Sequence, residues 1–350
     1  MQPSLREKPS EDRKVQGMMT RTISAGPTAV AEAASSLTAG NLVAIPTETV
    51  YGLAADATNG AAVAAIFEAK GRPHFNPLIS HVDSLAMARR IVVFDEVATL
   101  LAERYWPGPL TLVLPARPEA AVHPLVSGGL STLAVRAPRG IAAEIITALG
   151  RPVAAPSANP SGRVSPTTAA HVVHGLSGRI DLVVDGGPCS VGLESTIVAP
   201  EVGRIALLRA GAITAEEIAA LTGLPVVRPD ENEAIRAPGQ MKSHYAPAGA
   251  VRLEARSVRP GDHLIKFGGA VLEGEEGAAA VIDLSPAGDL REAAANLFAA
   301  LSAFDRSDIA RIAVSPIPQS GLGEAINDRL RRAAAPRQDA STSAVGSARA

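Results

Sequence analysis

Residues 42–82 read LVAIPTETVYGLAADATNGAAVAAIFEAKGRPHFNPLISHV: a short apolar run (Leu42–Pro46), an Ala-rich helical pattern (Ala61–Lys70) and a second apolar run (Leu78–Val82). Short continuous apolar runs suit strands covered on both faces. Strand, helix and strand in succession mark an α/β layer architecture. Outward from this unit the rhythm continues. Further strands are predicted at Leu110–Pro115, Thr132–Arg136, Pro152–Ala155, Leu182–Asp185, Thr196–Ala199 and Ile205–Arg209. Helices are predicted at Thr28–Ala39, Glu96–Tyr105, Ile141–Leu149, Thr167–His174 and Ala215–Leu221.

Composition breaks divide the chain. Residues 1–22 are polar and mixed in charge and are expected to be a disordered extension, with Met18 and Met19 as further candidate starts. Residues 23–227 form the main α/β domain, and 228–249, punctuated by Pro and Gly, read as a linker. Within 250–332 the rhythm resumes on a smaller scale: strands at Val251–Leu253, Leu264–Phe267, Ala280–Leu284 and Ile309–Val314, helices at Leu290–Phe304 and Gly323–Arg331. That region is expected to be a small, Rossmann-like α/β domain. Residues 333–350, rich in Ala, Ser, Arg and Gln, are expected to be disordered.

With 33 basic and 35 acidic residues the formal charge is −2, which gives no general field for gathering nucleic acid. Aromatic residues at 3% argue against a surface built on base stacking. A single cysteine, Cys189, excludes an internal disulfide framework and a Cys-rich zinc site, and suits the reducing cytoplasm. No uncharged apolar run reaches the roughly 20 residues of a membrane span, and Met1–Arg21 lacks a signal peptide's apolar stretch. No membrane partner is expected.

Three constellations carry candidate chemistry. In the first, the hydroxyls of PTET follow a strand, where open α/β sheets bind ligands, while Lys70 and Arg72 close a helix and Asn76 and His81 flank the next strand. Basic residues in a last helical turn also complement the helix dipole, and an ammonium beside a guanidinium also grips phosphates; both readings stand at this point. In the second, Arg136 ends STLAVR, and Ser157, Asn159 and Ser165 lie in AAPSANPSGRVSPT, either ordinary turn chemistry or an anion-binding concavity. The third is DGGPCSVGLESTIVAP with LLRAG, where Ser195 introduces a strand and Arg209 ends one. No GxxxxGK[ST] loop, GxGxxG fingerprint in a strand–helix context or GxSxG elbow occurs. His171 and His174 have ligand-like helical spacing without an HExxH frame or a Cys partner, and read as surface histidines.

Taken together, PTETVYGL, KGRPxxNPL, the SAN turn and GLESTIV, in that order, resemble the YrdC-like family in its two-domain, threonylcarbamoyl-AMP-forming version. The likeness covers roughly residues 23–224 and continues through GQMKSHYAP into the second domain. One departure is Ala54, where the family usually has Gly. The resemblance implies a twisted α/β catalytic domain with a large, positively lined concave cavity. It implies that L-threonine, bicarbonate and ATP give L-threonylcarbamoyladenylate and pyrophosphate, with Mg²⁺ accompanying ATP. The adenylate would be handed to a tRNA threonylcarbamoyl-transferase complex that modifies the adenosine next to the anticodon; whether tRNA touches this chain stays open. Carried over residue by residue, Thr49, His81, Arg136 and Ser195 are the expected threonine contacts. Lys70, Arg72, Asn76, Thr132, Ser157, Asn159, Ser165 and Arg209 fall on the ATP side, Lys70 and Arg72 as catalytic cations, with His244 and Tyr245 in a segment that folds over the cavity. A non-catalytic RNA-binding relative and a paralogue with another ligand are the alternatives.

Overall fold

The computed structural model describes residues 19–73, 76–229, 236–238 and 244–336. Most of the expected N-terminal extension and tail, and Lys242 of the linker, lie outside the described residues.

The first domain is built on strands β1 (Arg21–Ser24), β2 (Val43–Ile45), β3 (Gly52–Asp56), β4 (Ile79–His81), β5 (Leu110–Pro115) and β6 (Thr132–Arg136). They continue as β7 (Val153–Ala154), β8 (Leu182–Asp185), β9 (Thr196–Glu201), β10 (Arg204–Arg209) and β11 (Val226–Val227). All join one eleven-stranded sheet in the order β1-β8-β2-β3-β7-β4-β6-β5-β9-β10-β11. Three strands were not legible beforehand, among them the two-residue β11. Arg21 and Thr22, assigned to the extension, pair with Leu182 and Val183 as the start of β1. In β3 the sequence GLAAD has low intrinsic strand preference, and pairing with Val43–Ile45 on one side and β7 on the other overrides it.

The sheet is mixed, and its two faces have different tasks. Along β5, Leu110, Leu112 and Leu114 point into the main core with Leu133 and Val135 of β6, Val198 of β9 and Ile205 and Leu207 of β10. The alternate residues Ile79, Val113, Ala134, Ile197, Ala199, Ala206 and Leu208 form a separate small cluster on the other face, topped by Ala237 of the linker. Both faces are buried, as the apolar runs predict. One is covered by helices, the other by the linker and the second domain across a cavity.

Of the helices, α1 (Pro27–Thr38) and α2 (Gly60–Lys70) cover the first part of the sheet. Asn59 caps α2 by accepting from the backbone N–H groups of Ala61 and Ala62, and Gly71 ends it at φ 60°, a conformation that favours glycine. That stop sets where Lys70 and Arg72 emerge.

The second domain is a four-stranded parallel sheet with helices at Leu290–Ala303 and Leu322–Ala334, the latter running two residues past the expected boundary at Arg332. Its core continues into the first domain. Val50, Val164, Leu193 and Ala210 pack with Tyr245, Leu297, Phe298 and Leu301 in one cluster. Gly192 (φ 73°) allows that approach: a Cβ there would stand 2.4 Å from the Cα of Ala295.

Candidate active site

Strand register brings the predicted residues together. β4 and β6 pair in parallel with His81 opposite Arg136, and the two-residue period puts Ile79, His81, Ala134 and Arg136 on the cavity face. Arg209 reaches the same face through an irregularity. Leu207 pairs with Val198 and Arg209 with Ile197, so two residues of β10 advance against one of β9, and this bulge turns Arg209 toward the cavity.

A cavity is lined by Thr47, Thr49, Arg72, His81, Arg136, Ser157, Glu194, Ser195, Arg209, His244 and Tyr245, among others. Within PTET, Thr47 Oγ1 donates to the carbonyl of Val50 (2.7 Å) and accepts from the backbone N–H groups of Thr49 and Val50, a local turn closed by a hydroxyl. Its proton being spent, the Thr49 hydroxyl donates to Thr47 (2.8 Å) and accepts from Arg136 Nη1 (2.9 Å). Arg136 also donates from Nε to the Gly108 carbonyl (3.1 Å) and from Nη2 to Glu48 Oε1 (2.7 Å). Three of the five N–H groups of a guanidinium are thereby used, and Glu48 balances the charge.

Arg72 and Arg209 differ. Arg72 donates to the carbonyls of Asn76 (3.4 Å) and Pro77 (2.9 Å), and Arg209 to the carbonyl (3.0 Å) and hydroxyl (3.1 Å) of Ser195. These acceptors are neutral, so neither guanidinium is hydrogen-bonded to a carboxylate, although Glu194 lies within electrostatic reach of Arg209. Burial lowers each guanidinium to about 10, and for Arg72 repulsion from Arg209 adds to it. Burial and neighbouring Arg136 push His81 down to about 3, so its imidazole is neutral. With Nδ1 donating to the Ile79 carbonyl (3.2 Å), its Nε2 is an acceptor. Burial likewise holds His244 at about 3 and raises the Tyr245 phenol to about 12. Tyr245 sits at φ 65° with its ring 4.0 Å from that of His244, both buried as a roof.

Other predicted residues stand further back. Lys70, only 3% exposed, donates from Nζ to the carbonyls of Ser157 (2.6 Å) and Asn159, tying the end of α2 to the SAN turn. Burial, and then Arg72, lowers its ammonium well below the usual lysine range. Asn159 fixes that turn through the carbonyls of Pro160 and Arg163, and buried Asn76 lies beside Arg72. Ser165 donates to Glu194 Oε1 (2.6 Å). Thr132 shares the face of Arg136 but begins β6, about 13 Å away at 3.3 Å per residue, and does not line the cavity.

Sequence reasoning missed Glu48, Glu194 and Thr111, whose hydroxyl meets that of Ser195 at 2.7 Å. Both carboxylates stand inside the quoted motifs. Their signal was the presence of an acid in an otherwise uncharged run, which burial turns into an ion pair.

Comparison with known proteins follows this geometry. The family model described as "Telomere recombination" matches residues 35–211, and that described as "Threonylcarbamoyl-AMP synthase, C-terminal domain" matches 213–335. Threonylcarbamoyl-AMP synthase of Bacillus subtilis (strain 168) is 41% identical over 332 residues, covering 90% of this chain and 96% of the relative. That of Pyrococcus abyssi is 41% identical over 321 residues, covering 86% and 92%. The crystal structure of P. abyssi Sua5 complexed with L-threonine superposes with a TM-score of 0.80 at 36% identity, over 91% of this chain and 97% of that one.

Proposed function

The chain belongs to the threonylcarbamoyl-AMP synthase family, and we propose that its cavity joins L-threonine, bicarbonate and ATP into L-threonylcarbamoyladenylate and pyrophosphate. The observation that carries the reading is the division of charge in one cavity. Arg136 is balanced by Glu48 beside hydroxyls and a neutral imidazole, while Arg72 and Arg209 keep their charge. The balanced side suits a zwitterionic amino acid, with Thr49, His81, Arg136 and Ser195 as its contacts. The charged side suits phosphates.

In this reading threonine's amine condenses with bicarbonate to a carbamate, releasing water. A carbamate oxygen then bonds to the α-phosphorus of ATP as the bond to the β-phosphate oxygen breaks, and pyrophosphate leaves. Arg72 and Arg209 stabilise the charge that moves onto the leaving group. Lys70, with one N–H free of the SAN carbonyls, adds to that field from behind. Ser157, His244 and Tyr245 complete the ATP side of the wall, Asn76, Asn159 and Ser165 support it, and Thr132 would meet ATP only at its periphery. The roof keeps water from the carbamate.

Among the described residues no three His, Cys, Asp or Glu side chains group as a metal site, and Glu48 and Glu194 already pair with arginines. Mg²⁺ therefore enters the reading as the companion of the ATP phosphates, neutralising their charge, without a protein cage. A mixed anhydride of this kind must be consumed by an acceptor, for which we propose the tRNA threonylcarbamoyl-transferase complex, in the cytoplasm. The cavity arginines are buried rather than spread over an open basic surface, which disfavours the RNA-binding alternative.

The test is pyrophosphate release from ATP with threonine and bicarbonate each omitted in turn. Release should need both. Release that ignores threonine would remove this reading.

A further inference from the structure

Arg329, on the last helix of the second domain, is fully buried. Its Nε donates to Glu194 Oε2 (3.0 Å), and its Nη1 to the Ala210 carbonyl (2.7 Å) and to Asp328 Oδ2 (3.0 Å). The guanidinium lies 5.7 Å from the centre of the Tyr245 ring, a cation–π arrangement. Glu194 immediately precedes Ser195, Ala210 immediately follows Arg209, and Tyr245 is in the roof. One side chain from the second domain thus touches the chain neighbours of two cavity residues and the ring of a third. The same helix also holds the roof by its backbone, since the Arg332 carbonyl accepts from the His244 N–H (3.3 Å).

Glu194 adds the electrostatic reason. It lines a cavity read as taking anions, and an unbalanced carboxylate there would repel them. Its Oε1 is bonded by Ser165 and its Oε2 by Arg329, which turns both oxygens to the protein. Arg329 and then Arg209 are the cations that lower its carboxyl against the penalty of burial, and the Ser165 hydrogen bond adds to them.

We propose that Arg329 is a positioning residue of the substrate cavity: it fixes Ser195 and Arg209 from behind and seats Tyr245, so that the second domain completes the active site within one chain. The proposal rests on the adenylate-forming reading.

Three full-length variants test it: R329K, R329M and the double variant R329M/E194Q. The measurements are unfolding midpoint, threonine affinity by calorimetry, and pyrophosphate release as a function of pH. R329M should lower kcat/KM about 100-fold, the scale of a roughly 1 Å displacement of reacting groups. It should also acquire an acid limb, because Glu194 then keeps Arg209 as its one nearby guanidinium, with the Ser165 hydroxyl, the neutral His244 and the Tyr245 phenol around it. The double variant should lose that limb and regain unfolding midpoint while kcat/KM stays low. Recovery of kcat/KM in step with the midpoint would reduce Arg329 to a structural counter-ion and overturn the proposal. Wild-type kcat/KM in R329M would overturn it too. If R329M does not fold, R329K decides: it keeps the charge but loses the fork, so reduced kcat/KM at a wild-type midpoint supports positioning and unchanged kcat/KM refutes it. Wild-type protein that releases no pyrophosphate would instead sink the adenylate reading, and threonine affinity across the variants would still report on Arg329.

Discussion

At the residue scale Arg136 decides most. Its pair with Glu48 is nearly inaccessible, with side chains 4% and 6% exposed. Arg136→Ala leaves a buried carboxylate facing only the Arg139 N–H, so stability should fall by about 3–5 kcal/mol. Threonine affinity should fall as well. An R136M/E48Q variant, which removes both charges, should recover most of the stability in denaturant unfolding without recovering threonine binding in calorimetry. Recovery of both would take Arg136 out of the threonine site. The strand-end arginine was legible from STLAVR. Its partner was not, because Glu48 lies 88 residues away and only register brings the two within 2.7 Å.

At the element scale the close approach at Gly192 controls how the GLESTIV segment meets the helix at Leu290–Ala303. Gly192→Ala places a methyl at 2.4 Å from Ala295 Cα and 2.7 Å from the Ala294 carbonyl, in a backbone conformation that disfavours a Cβ. The left-handed conformation alone costs about 1–2 kcal/mol, and the collision adds to it. The helix should move away from Leu193 and Glu194. Raised hydrogen exchange in 290–303 with reduced threonine affinity is the expected outcome, and an unchanged exchange pattern would show the interface to be softer than its geometry. Element boundaries followed the apolar runs closely where strands are Leu- and Val-rich, as in Leu110–Pro115 and Thr132–Arg136. They failed at GLAAD and at Arg21–Ser24, where neighbours rather than side chains make the strand.

At the scale of the whole molecule the second domain is part of one core with the first. Ending the chain after Val227 would expose Val50, Val164, Leu193 and Ala210 and leave Glu194 without Arg329. The shortened protein should unfold at a lower temperature than the full chain and lose threonine affinity. Equal stability would reduce the interface to a loose contact. Acidity acts on the same closed assembly. His81 and His244 sit at about 3 in the folded protein against 6.5 ordinarily, so between these values the unfolded chain binds protons that the native state refuses. Stability is therefore complete above pH 6.5 and falls as pH drops below it, by up to about 1.4 kcal/mol per unit for each histidine. Unfolding curves from pH 7 to 5.5 should show this slope, to which His171, also lowered by burial, adds, and His244→Gln should make it shallower.

The order of motifs was enough to determine the family-level reading, because an apolar strand run, a glycine stop and a strand-end arginine act locally. The same local rules marked Thr49, Lys70, Arg72, Arg136, Ser195 and Arg209 as candidates. They could not say which cations keep their charge. Glu48 balances Arg136, two carbonyls of the SAN turn hold Lys70, and Arg72 and Arg209 meet only neutral acceptors. Nor could they foresee that Arg329, 135 residues from Glu194, closes the back of the cavity. Those outcomes depend on burial and on distances across strands and domains. A charge's effect is set by what replaces water around it, and only the tertiary structure decides that.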